Sequence, residues 1–260
     1  MPSTALCGLK LILSPILLLL CVVVAQPAVA SNVTCPQFEV ASSQLYRTTS
    51  VGCTLTVDLN FHVKPGLSLD TNSVKLTHDV VMGVSLPSLQ STQFASSPPK
   101  TEAFTNMIYY VSRVVWTPEL VHSAQTYLLN VFVPTCDTSS LLRVTVNKCK
   151  MCLSEDQTLE SIAGLYNRHW SQIWSVNPFL LSPDKISAGQ EINLGIIYST
   201  TDGDTLMLLS VRFGISLDLL KQLNPEIPAS AFPNLGSNTS ICVIPETCPE
   251  FRARVPGITW

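Results

Sequence analysis

The sequence predicts a multi-domain protein, in which an N-terminal all-β sandwich is followed by two small α+β units. Three observations support this fold class. Residues 31–147 consist of short alternating apolar and polar segments separated by turn residues, which is the pattern of strands. From Cys149 onward the apolar residues recur with helical spacing. Within that helical part, landmarks such as Thr158 and Asn177 recur 47 positions later, so it is an internal repeat.

Residues 1–30 read as a secretory signal peptide. Lys10 supplies the positive start, Leu11 to Val24 form an apolar run, and Ala28-Val29-Ala30 is a small-x-small cleavage site. The alternative is an uncleaved N-terminal anchor. After cleavage, no later stretch reaches the roughly 18 apolar residues that span a bilayer, so no membrane span is predicted in the mature chain. The sequence therefore predicts a secreted, extracellular or cell-surface protein.

The charge balance argues against several classes of partner. Formal net charge is −3, and removing Lys10 with the signal peptide makes it −4. The sequence has no cluster of lysine and arginine, so nucleic acid is not a predicted partner. Charged residues make up 13% of the chain. Such a surface suits a protein that binds neutral ligands.

The cysteines predict disulfide bonds. Of the nine cysteines, Cys7 and Cys21 lie in the signal peptide, which leaves seven. In an oxidising compartment these are disulfide candidates, and the odd count leaves one free or intermolecular. The seven are Cys35, Cys53, Cys136, Cys149, Cys152, Cys242 and Cys248. The CxxC spacing of Cys149 and Cys152 leaves a redox motif or half of a zinc site as alternatives. No cofactor or metal is predicted.

Two N-glycosylation sequons accompany the secretion signal. Asn32-Val33-Thr34 stands near the predicted mature N-terminus, and Asn238-Thr239-Ser240 lies close to the end of the repeat. Both predict surface loops, because an attached glycan needs space in solvent.

Residues 31–147 are predicted to form the β-sandwich. From Thr54 to Val63 every second residue is apolar, which is the pattern of a half-buried strand, and Pro65-Gly66 ends it. Further strands are predicted at 107–116, 126–133 and 141–146. The Ser-, Gln- and Pro-rich segment 85–100 is predicted to be an exposed loop, or alternatively a linker between two smaller units.

Around Trp116 the chain resembles a bacterial-type immunoglobulin-like domain. The matching residues are Val115-Trp116-Thr117-Pro118 followed by Tyr127-Leu128-Leu129-Asn130-Val131. The resemblance implies a spacer or adhesion module, and thus a possible protein partner for this β-domain.

The repeat divides into a first repeat, residues 148–196, and a second repeat, residues 197–246, before a tail at 247–260. In each, two short helices are predicted between two strands. The caps are Thr158 in the first repeat, and Asp204 or Thr205 and then Ser216 in the second. Gly214 and the Asn-Pro pairs at 177–178 and 224–225 mark helix ends.

These landmarks resemble the LysM module, a βααβ domain that binds glycans containing N-acetylglucosamine. The second repeat has Gly203-Asp204-Thr205-Leu206, Phe213-Gly214, Asn224-Pro225 and the closing strand Ile241 to Ile244. The first repeat keeps Thr158-Leu159, Ile162-Ala163, Tyr166 and Asn177-Pro178, but has Asp156-Gln157 in place of Gly-Asp. That departure bears on its sugar contacts more than on its fold.

The resemblance implies a shallow sugar groove in each repeat. Its residues would be Gly203, Asp204, Thr205, Leu206, Pro225, Glu226 and Ile227 in the second repeat, and Asp156, Gln157, Thr158, Leu159, Phe179 and Leu180 in the first. Gly203 would let the backbone approach the sugar closely, because it has no Cβ. The alternative is that these residues have only structural roles. Asp204-Thr205 would then be a helix cap, and the side chains of Asn177 and Asn224 would form hydrogen bonds with nearby backbone.

Catalysis is not predicted. No carboxylate pair flanks a deep cleft, and no HExxH, Gly-x-Ser-x-Gly or phosphate loop is present. The sequence therefore predicts a non-catalytic protein that binds an N-acetylglucosamine-containing polysaccharide, chitin- or peptidoglycan-like. The alternative is a structural or adhesion protein whose LysM folds mediate protein contacts without binding sugar.

Overall fold

The computed structural model describes residues 35, 37–38, 45–63, 69–80, 86–94, 108–134, 136, 138–244 and 246. In chain order the elements are β1 (Gln37–Phe38), β2 (Leu45–Val51), β3 (Leu55–Val63), β4 (Lys75–His78), β5 (Ser88–Phe94), β6 (Ile108–Trp116), β7 (Thr126–Phe132), β8 (Ser139–Cys152), α1 (Leu159–Leu165), α2 (Trp170–Ser175), β9 (Glu191–Asn193), β10 (Ile196–Ser199), α3 (Leu206–Phe213), α4 (Leu217–Gln222) and β11 (Ser240–Val243). The predicted signal peptide, Asn32 and Cys248 lie outside the described residues. Within those residues, no helix is long and apolar enough to cross a membrane.

The N-terminal region is a sandwich of two sheets. One sheet has the order β1-β3-β6-β5 and is antiparallel throughout. The other has the order β2-β8-β7-β4, with β2 parallel to β8. Phe61 and Trp116 from the first sheet meet Leu129 and Val144 from the second in a fully buried core. The alternation seen in the sequence of β3 therefore does select its buried face, and the predicted sandwich is confirmed.

The prediction of a loop at 85–100 is wrong for its described part. Residues 88–94 form β5, which pairs along its length with β6 at one end of the sheet order. Leu89 packs against the core, while Ser88 and Gln90 are exposed. Only Leu89 and Phe94 of the seven residues in this strand are apolar, so its composition is close to that of a loop, which explains the error. Residues 95–100 lie outside the described part.

Strand β8 belongs both to the sandwich and to the first repeat. Its residues 139–145 pair with β7, and residues 150–152 pair with β9. The strand crosses the predicted domain boundary at 147/148 without a linker, and Cys149 adopts φ +62° where its pairing changes. The domain limits themselves remain a prediction, but the two parts are joined by continuous backbone.

Each repeat is a βααβ unit. The first consists of the end of β8, α1, α2 and β9, and the second of β10, α3, α4 and β11. The predicted caps are present: Thr158, Thr205 and Ser216 each accept a hydrogen bond from the backbone N–H three residues on. Gly214 ends α3 with φ +62°, a left-handed conformation that favours glycine.

The two repeats share one hydrophobic core. It includes the fully buried Ile162 and Ile173 of the first repeat together with Leu209 and Leu220 of the second. Side chains of the sandwich, Val51 among them, pack against the same core. The repeats and the sandwich consequently form one continuous body rather than separate units on flexible linkers.

Three disulfides reinforce this arrangement. Cys35–Cys136 closes the sandwich, Cys53–Cys152 joins the sandwich to the first repeat, and Cys149–Cys242 joins the first strand of one repeat to the last strand of the other. Six of the seven predicted candidates are thus paired, and Cys248 is outside the described residues. Because Cys149 and Cys152 bond to different distant partners, their CxxC spacing forms neither a redox dithiol nor half of a zinc site.

Candidate functional site

The loop before α3 is shaped by Gly203. This residue has φ +84°, in the region that side chains disfavour, and a Cβ placed there would meet no heavy atom within 4 Å. The space beside Gly203 is therefore open, and its close approach to a sugar stays a prediction. Glycine is needed here for the turn conformation.

The Asp204 carboxylate forms its hydrogen bonds within its own loop. Asp204 is 3% exposed, and its carboxylate accepts hydrogen bonds from the Thr201 backbone N–H and the Tyr198 hydroxyl, both at 2.8 Å. Arg212 lies 3.3 Å away. The Thr201 N–H first, and then the Tyr198 hydroxyl, hold the pKa of Asp204 below its ordinary value. This carboxylate therefore organises the turn, and it is Thr205 that caps α3.

The second repeat closes this loop with its own backbone. The N–H of Leu206 donates to the Phe232 carbonyl at 3.0 Å, and the N–H of Leu235 donates to the Asp204 carbonyl at 3.1 Å. These two bonds join the loop before α3 to the segment between α4 and β11. The Leu206 N–H and the Asp204 carbonyl are thus already paired within the second repeat.

The first repeat leaves the equivalent backbone groups open. Thr158 caps α1 in a reciprocal arrangement with Ser161, and the Gln157 side chain accepts a hydrogen bond from the Ser154 N–H at 2.9 Å. Asp156 is exposed, with φ +64°. Among the described residues, no backbone hydrogen bond occupies the Leu159 N–H or the Gln157 carbonyl from across the loop.

The segment after the second helix, which would form the other wall of the implied sugar groove, also differs between the repeats. In the first, Phe179 is 52% and the neighbouring Leu181 93% exposed, while Leu180 is buried. In the second, Ile227 is buried, Pro225 is half-buried, and the Glu226 carboxylate forms an ion pair with Lys148 of β8. The first repeat therefore presents an apolar surface where the second presents a paired charge.

Two asparagines have the structural role that the sequence suggested. Asn177 and Asn224 are both buried, and each side-chain amide donates to the carbonyl four residues back and to the returning strand. Each side-chain oxygen accepts from that strand, at the N–H of Asn193 or of Cys242. These side chains fasten the second helix of each repeat to its sheet.

Sequence reasoning missed Lys148, Phe232 and Leu235. Lys148 bonds to Glu226 across 78 residues, and no local pattern signals that contact. The loop-closing bonds are made by backbone, so side-chain identity does not encode them. Asn238 is exposed, as its sequon predicts, in the turn before β11. In the described part of the chain, no group of three or more His, Cys, Asp or Glu residues could hold a metal ion.

Comparison with known proteins finds a family match for the repeat. The LysM domain family matches residues 154–195 and 198–241. LysM domains are non-catalytic modules that bind glycans containing N-acetylglucosamine. No curated protein sequence matches the chain.

Solved structures resemble the chain at low TM-scores. The Rst D1–D2 crystal structure is 10% identical, with a TM-score of 0.26, over 44% of this chain and 47% of that one. The Ig tandem domains of titin are 16% identical, with a TM-score of 0.19, over 44% and 50%. The titin M3 domain is 15% identical, with a TM-score of 0.18, over 45% and 100%. The match spans about half the length of the first two.

The repeat thus has a family match of its own. The 47-residue period, the capped helix pairs and the buried asparagines agree with the family match on both repeats. The chain therefore contains two tandem LysM modules, at residues 154–195 and 198–241, behind an N-terminal β-sandwich.

Proposed function

We propose that this chain is a secreted, non-catalytic protein that binds chitin- or peptidoglycan-like polymers of N-acetylglucosamine, with the first repeat as its accessible groove. The family match supports carbohydrate binding. The three disulfides favour an oxidising, extracellular compartment. The possible protein partner of the β-domain remains part of this proposal.

The difference between the two loops is the observation on which the choice of groove depends. An acetamido group needs one backbone donor, one backbone acceptor and an apolar contact for its methyl group. The first repeat offers the Leu159 N–H as donor and the Gln157 carbonyl as acceptor. The exposed Phe179, which follows the second helix of that repeat, offers the apolar contact. The second repeat uses the corresponding groups to close its own loop. The better sequence match is therefore not the better groove.

A shallow groove of this kind binds a short glycan weakly. Its affinity should rise with oligomer length, because a longer chain reaches more of the surface around the groove of the first repeat. Free monosaccharide should bind poorly for the same reason.

The proposal is tested by calorimetric titration of the mature chain with chito-oligosaccharides of increasing length. The key variant is Leu181→Asp, which changes a 93% exposed side chain beside the groove and leaves the core untouched. We expect at least a tenfold loss of affinity, about 1.4 kcal/mol, because the charge replaces an apolar contact. Val211→Asp, at a 76% exposed position on α3, is the matched control and should bind as the parent does.

A second candidate function is a protein-contact role for the LysM folds. The closed loop of the second repeat favours it, as do the exposed Met207, Leu208 and Val211 on α3. No heat with any chito-oligosaccharide at millimolar concentration, from a folded protein, would contradict the glycan proposal and support this one.

A further inference from the structure

A cleft of about 370 Å³ lies where the first repeat meets the second. One wall is the turn after α1, from Leu165 to Arg168, and the other is the start of α4 with Asp218 and Leu219. The volume falls within the roughly 300–1,000 Å³ of small-molecule sites. None of the groove residues that the LysM resemblance implies, in either repeat, belongs to the described lining. The cleft is therefore a different place from both implied sugar grooves.

The guanidinium of Arg168 lies between the two repeats in this cleft. Arg168 is half-buried, and its Nη2 atom donates to the Gly214 carbonyl of the second repeat at 2.8 Å. Among the described residues, no carboxylate forms an ion pair with this guanidinium. A cation that is withdrawn from water without a counter-charge costs free energy, and an incoming anion offsets that cost. The cleft therefore favours an anionic group over a neutral or a cationic one.

The hydroxyl of Tyr166 is a second donor in the cleft. Tyr166 is 6% exposed, and no described residue forms a hydrogen bond with its hydroxyl, which is not one of the sealed, unpaired polar atoms of the described chain and so keeps accessible surface. Burial raises the pKa of Tyr166, so the phenol keeps its proton at neutral pH and can donate it. A hydroxyl and a guanidinium match the two oxygens of a carboxylate, which accepts charge-assisted hydrogen bonds.

Apolar side chains complete the cleft. Leu165 is 68% exposed and Leu219 is 9% exposed, and both belong to the lining. The Asp218 carboxylate belongs to it as well, but its side chain is 96% exposed and pairs with Lys221 at 3.5 Å, so water and that cation screen its charge. The cleft thus suits a carboxylate that is carried on a short apolar stem.

The βααβ fold does not itself require these two donors. The residues 47 positions after Tyr166 and Arg168 are Phe213 and Ile215, which carry neither a hydroxyl nor a charge. Ile215 belongs to the shared hydrophobic core, and Phe213 packs against it. Purely apolar side chains therefore build the same turn in the second repeat. The hydroxyl and the guanidinium of the first repeat add chemistry that this turn does not need.

We infer that this cleft binds a carboxylate on a short apolar stem, as carried by the lactyl group or the attached peptide of a peptidoglycan-like polymer. The carboxylate class rests on the cleft alone, whereas the glycan source rests on the proposed function. Chitin carries no carboxylate, so this site selects the peptidoglycan-like member of the two polymers proposed above.

The test is a titration of the ¹⁵N-labelled mature chain, followed by NMR, with two matched pairs of small probes. N-acetylmuramic acid differs from N-acetylglucosamine by a lactyl group and its carboxylate, and N-acetylalanine differs from N-acetylalaninamide in its charge. We expect each acid to shift the amide resonances of Asn167 and Leu219 saturably at millimolar concentration. The two neutral probes should leave those resonances in place, because they offer no anion to Arg168.

Three substitutions separate this site from a general effect of charge. Arg168→Gln removes the cation and should weaken the binding of both acids at least about tenfold. Tyr166→Phe, which introduces the residue found at the corresponding position of the second repeat, should weaken it about threefold or more. Arg47→Gln removes the same charge from an exposed position of the sandwich and should bind as the parent does. The dispersion of the same spectra reports whether each variant is folded.

The outcomes distinguish the cleft from the groove. If no probe shifts Asn167 and Leu219, if the neutral probes shift them as much as the acids do, or if binding survives Arg168→Gln, the cleft proposal is overturned. If Arg168→Gln does not fold, unchanged binding by Tyr166→Phe overturns it instead. Binding of only one acid supports the carboxylate site and assigns its source to the lactyl group or to the peptide.

The calorimetric titration with chito-oligosaccharides tests the proposed function independently. If both acids bind in the cleft while chito-oligosaccharides give no heat, the proposed groove is rejected and the cleft is supported. If chito-oligosaccharides give heat while the cleft stays silent toward both acids, the cleft alone is rejected.

Discussion

One buried asparagine in each repeat connects the second helix to the returning strand. Asn177 and Asn224 make three hydrogen bonds apiece, and in both cases the bonds connect the second helix to the returning strand. The spacing of 47 residues between them reproduces the same local geometry twice. These bonds satisfy buried backbone groups of the returning strand, at the N–H of Asn193 and of Cys242.

Replacing Asn224 with alanine should therefore destabilise the chain strongly. The N–H and carbonyl of Cys242 lose their partners inside the core, and each orphaned group costs about 1–3 kcal/mol. We expect a loss of about 2–4 kcal/mol in the free energy of unfolding, measured in urea. Asp218→Ala, at an almost fully exposed position, is the control and should change it by less than about 0.5 kcal/mol. A loss below 1 kcal/mol for Asn224→Ala would contradict this role.

The lowered pKa of Asp204 predicts that the free energy of unfolding depends on pH. Hydrogen bonds from Thr201 and Tyr198 lower the pKa of its carboxyl below the usual 3.8, so the folded state holds the proton less tightly than the unfolded state. The ionised Asp204 carboxylate therefore stabilises the folded state fully at pH values above its ordinary pKa, and this stabilisation is lost as the pH falls toward the lowered pKa. Asp204→Asn should flatten the decline in unfolding free energy below about pH 4. Equal acid slopes for the two proteins would rule this out.

At the scale of elements, the turns decide what each repeat exposes. The turn between α3 and α4 is closed by Gly214, and a Cβ there would collide with the side chain of Glu246. The N–H of Glu246 also donates to the Phe213 carbonyl, so the end of the second repeat is fastened over this turn. Gly203, by contrast, faces open space at the same kind of positive φ.

These two glycines make a matched pair for mutation. Gly203→Ala should cost about 1 kcal/mol, because only the backbone conformation is strained. Gly214→Ala should cost at least about 2 kcal/mol, because Glu246 must also move. Chemical denaturation of both variants gives the comparison. Equal costs would mean that the contact with Glu246 contributes nothing.

At the scale of the whole molecule, the sandwich and the repeats behave as one body. Strand β8 runs through both, Cys53–Cys152 links them, and the Glu191 carboxylate of β9 accepts hydrogen bonds from Ser50 of the sandwich and from Lys150. Burial raises the pKa of Glu191, but the bonds from Lys150 and Ser50 outweigh it, and the pKa is lowered overall. The orientation of both repeats is thereby set by the sandwich.

We therefore expect one cooperative thermal transition for the oxidised chain. A shared core cannot lose one repeat without exposing the apolar surface of the other. Calorimetry should give equal calorimetric and van't Hoff enthalpies. The double variant Cys53→Ser, Cys152→Ser should lower stability by about 2–5 kcal/mol. Two separate transitions in the parent chain would contradict the single body.

Local patterns made much of this protein predictable. The helix caps depend on spacings of three residues, the buried faces on periods of two and 3.6, and the repeat on a fixed offset of 47 residues. Each of these is a relation within one element or between two copies of it. For that reason the caps Thr158 and Ser216 and the structural role of Asn177 and Asn224 were predicted correctly, and Thr205 was one of the two candidates predicted for the cap of α3.

The sequence by itself determined the sandwich and the two LysM repeats, because those features follow from short-range periodicity and a repeated motif. The kind of ligand is what the resemblance to the LysM family implies. Tertiary structure alone decided the parallel pairing of β2 with β8, the disulfide partners and the pairing of Lys148 with Glu226. It also decided which repeat keeps its loop open, since backbone bonds such as Leu206 to Phe232 depend on how the chain packs and leave no mark in the residue types. Contacts between residues dozens of positions apart are settled by packing, and packing is a property of the whole fold.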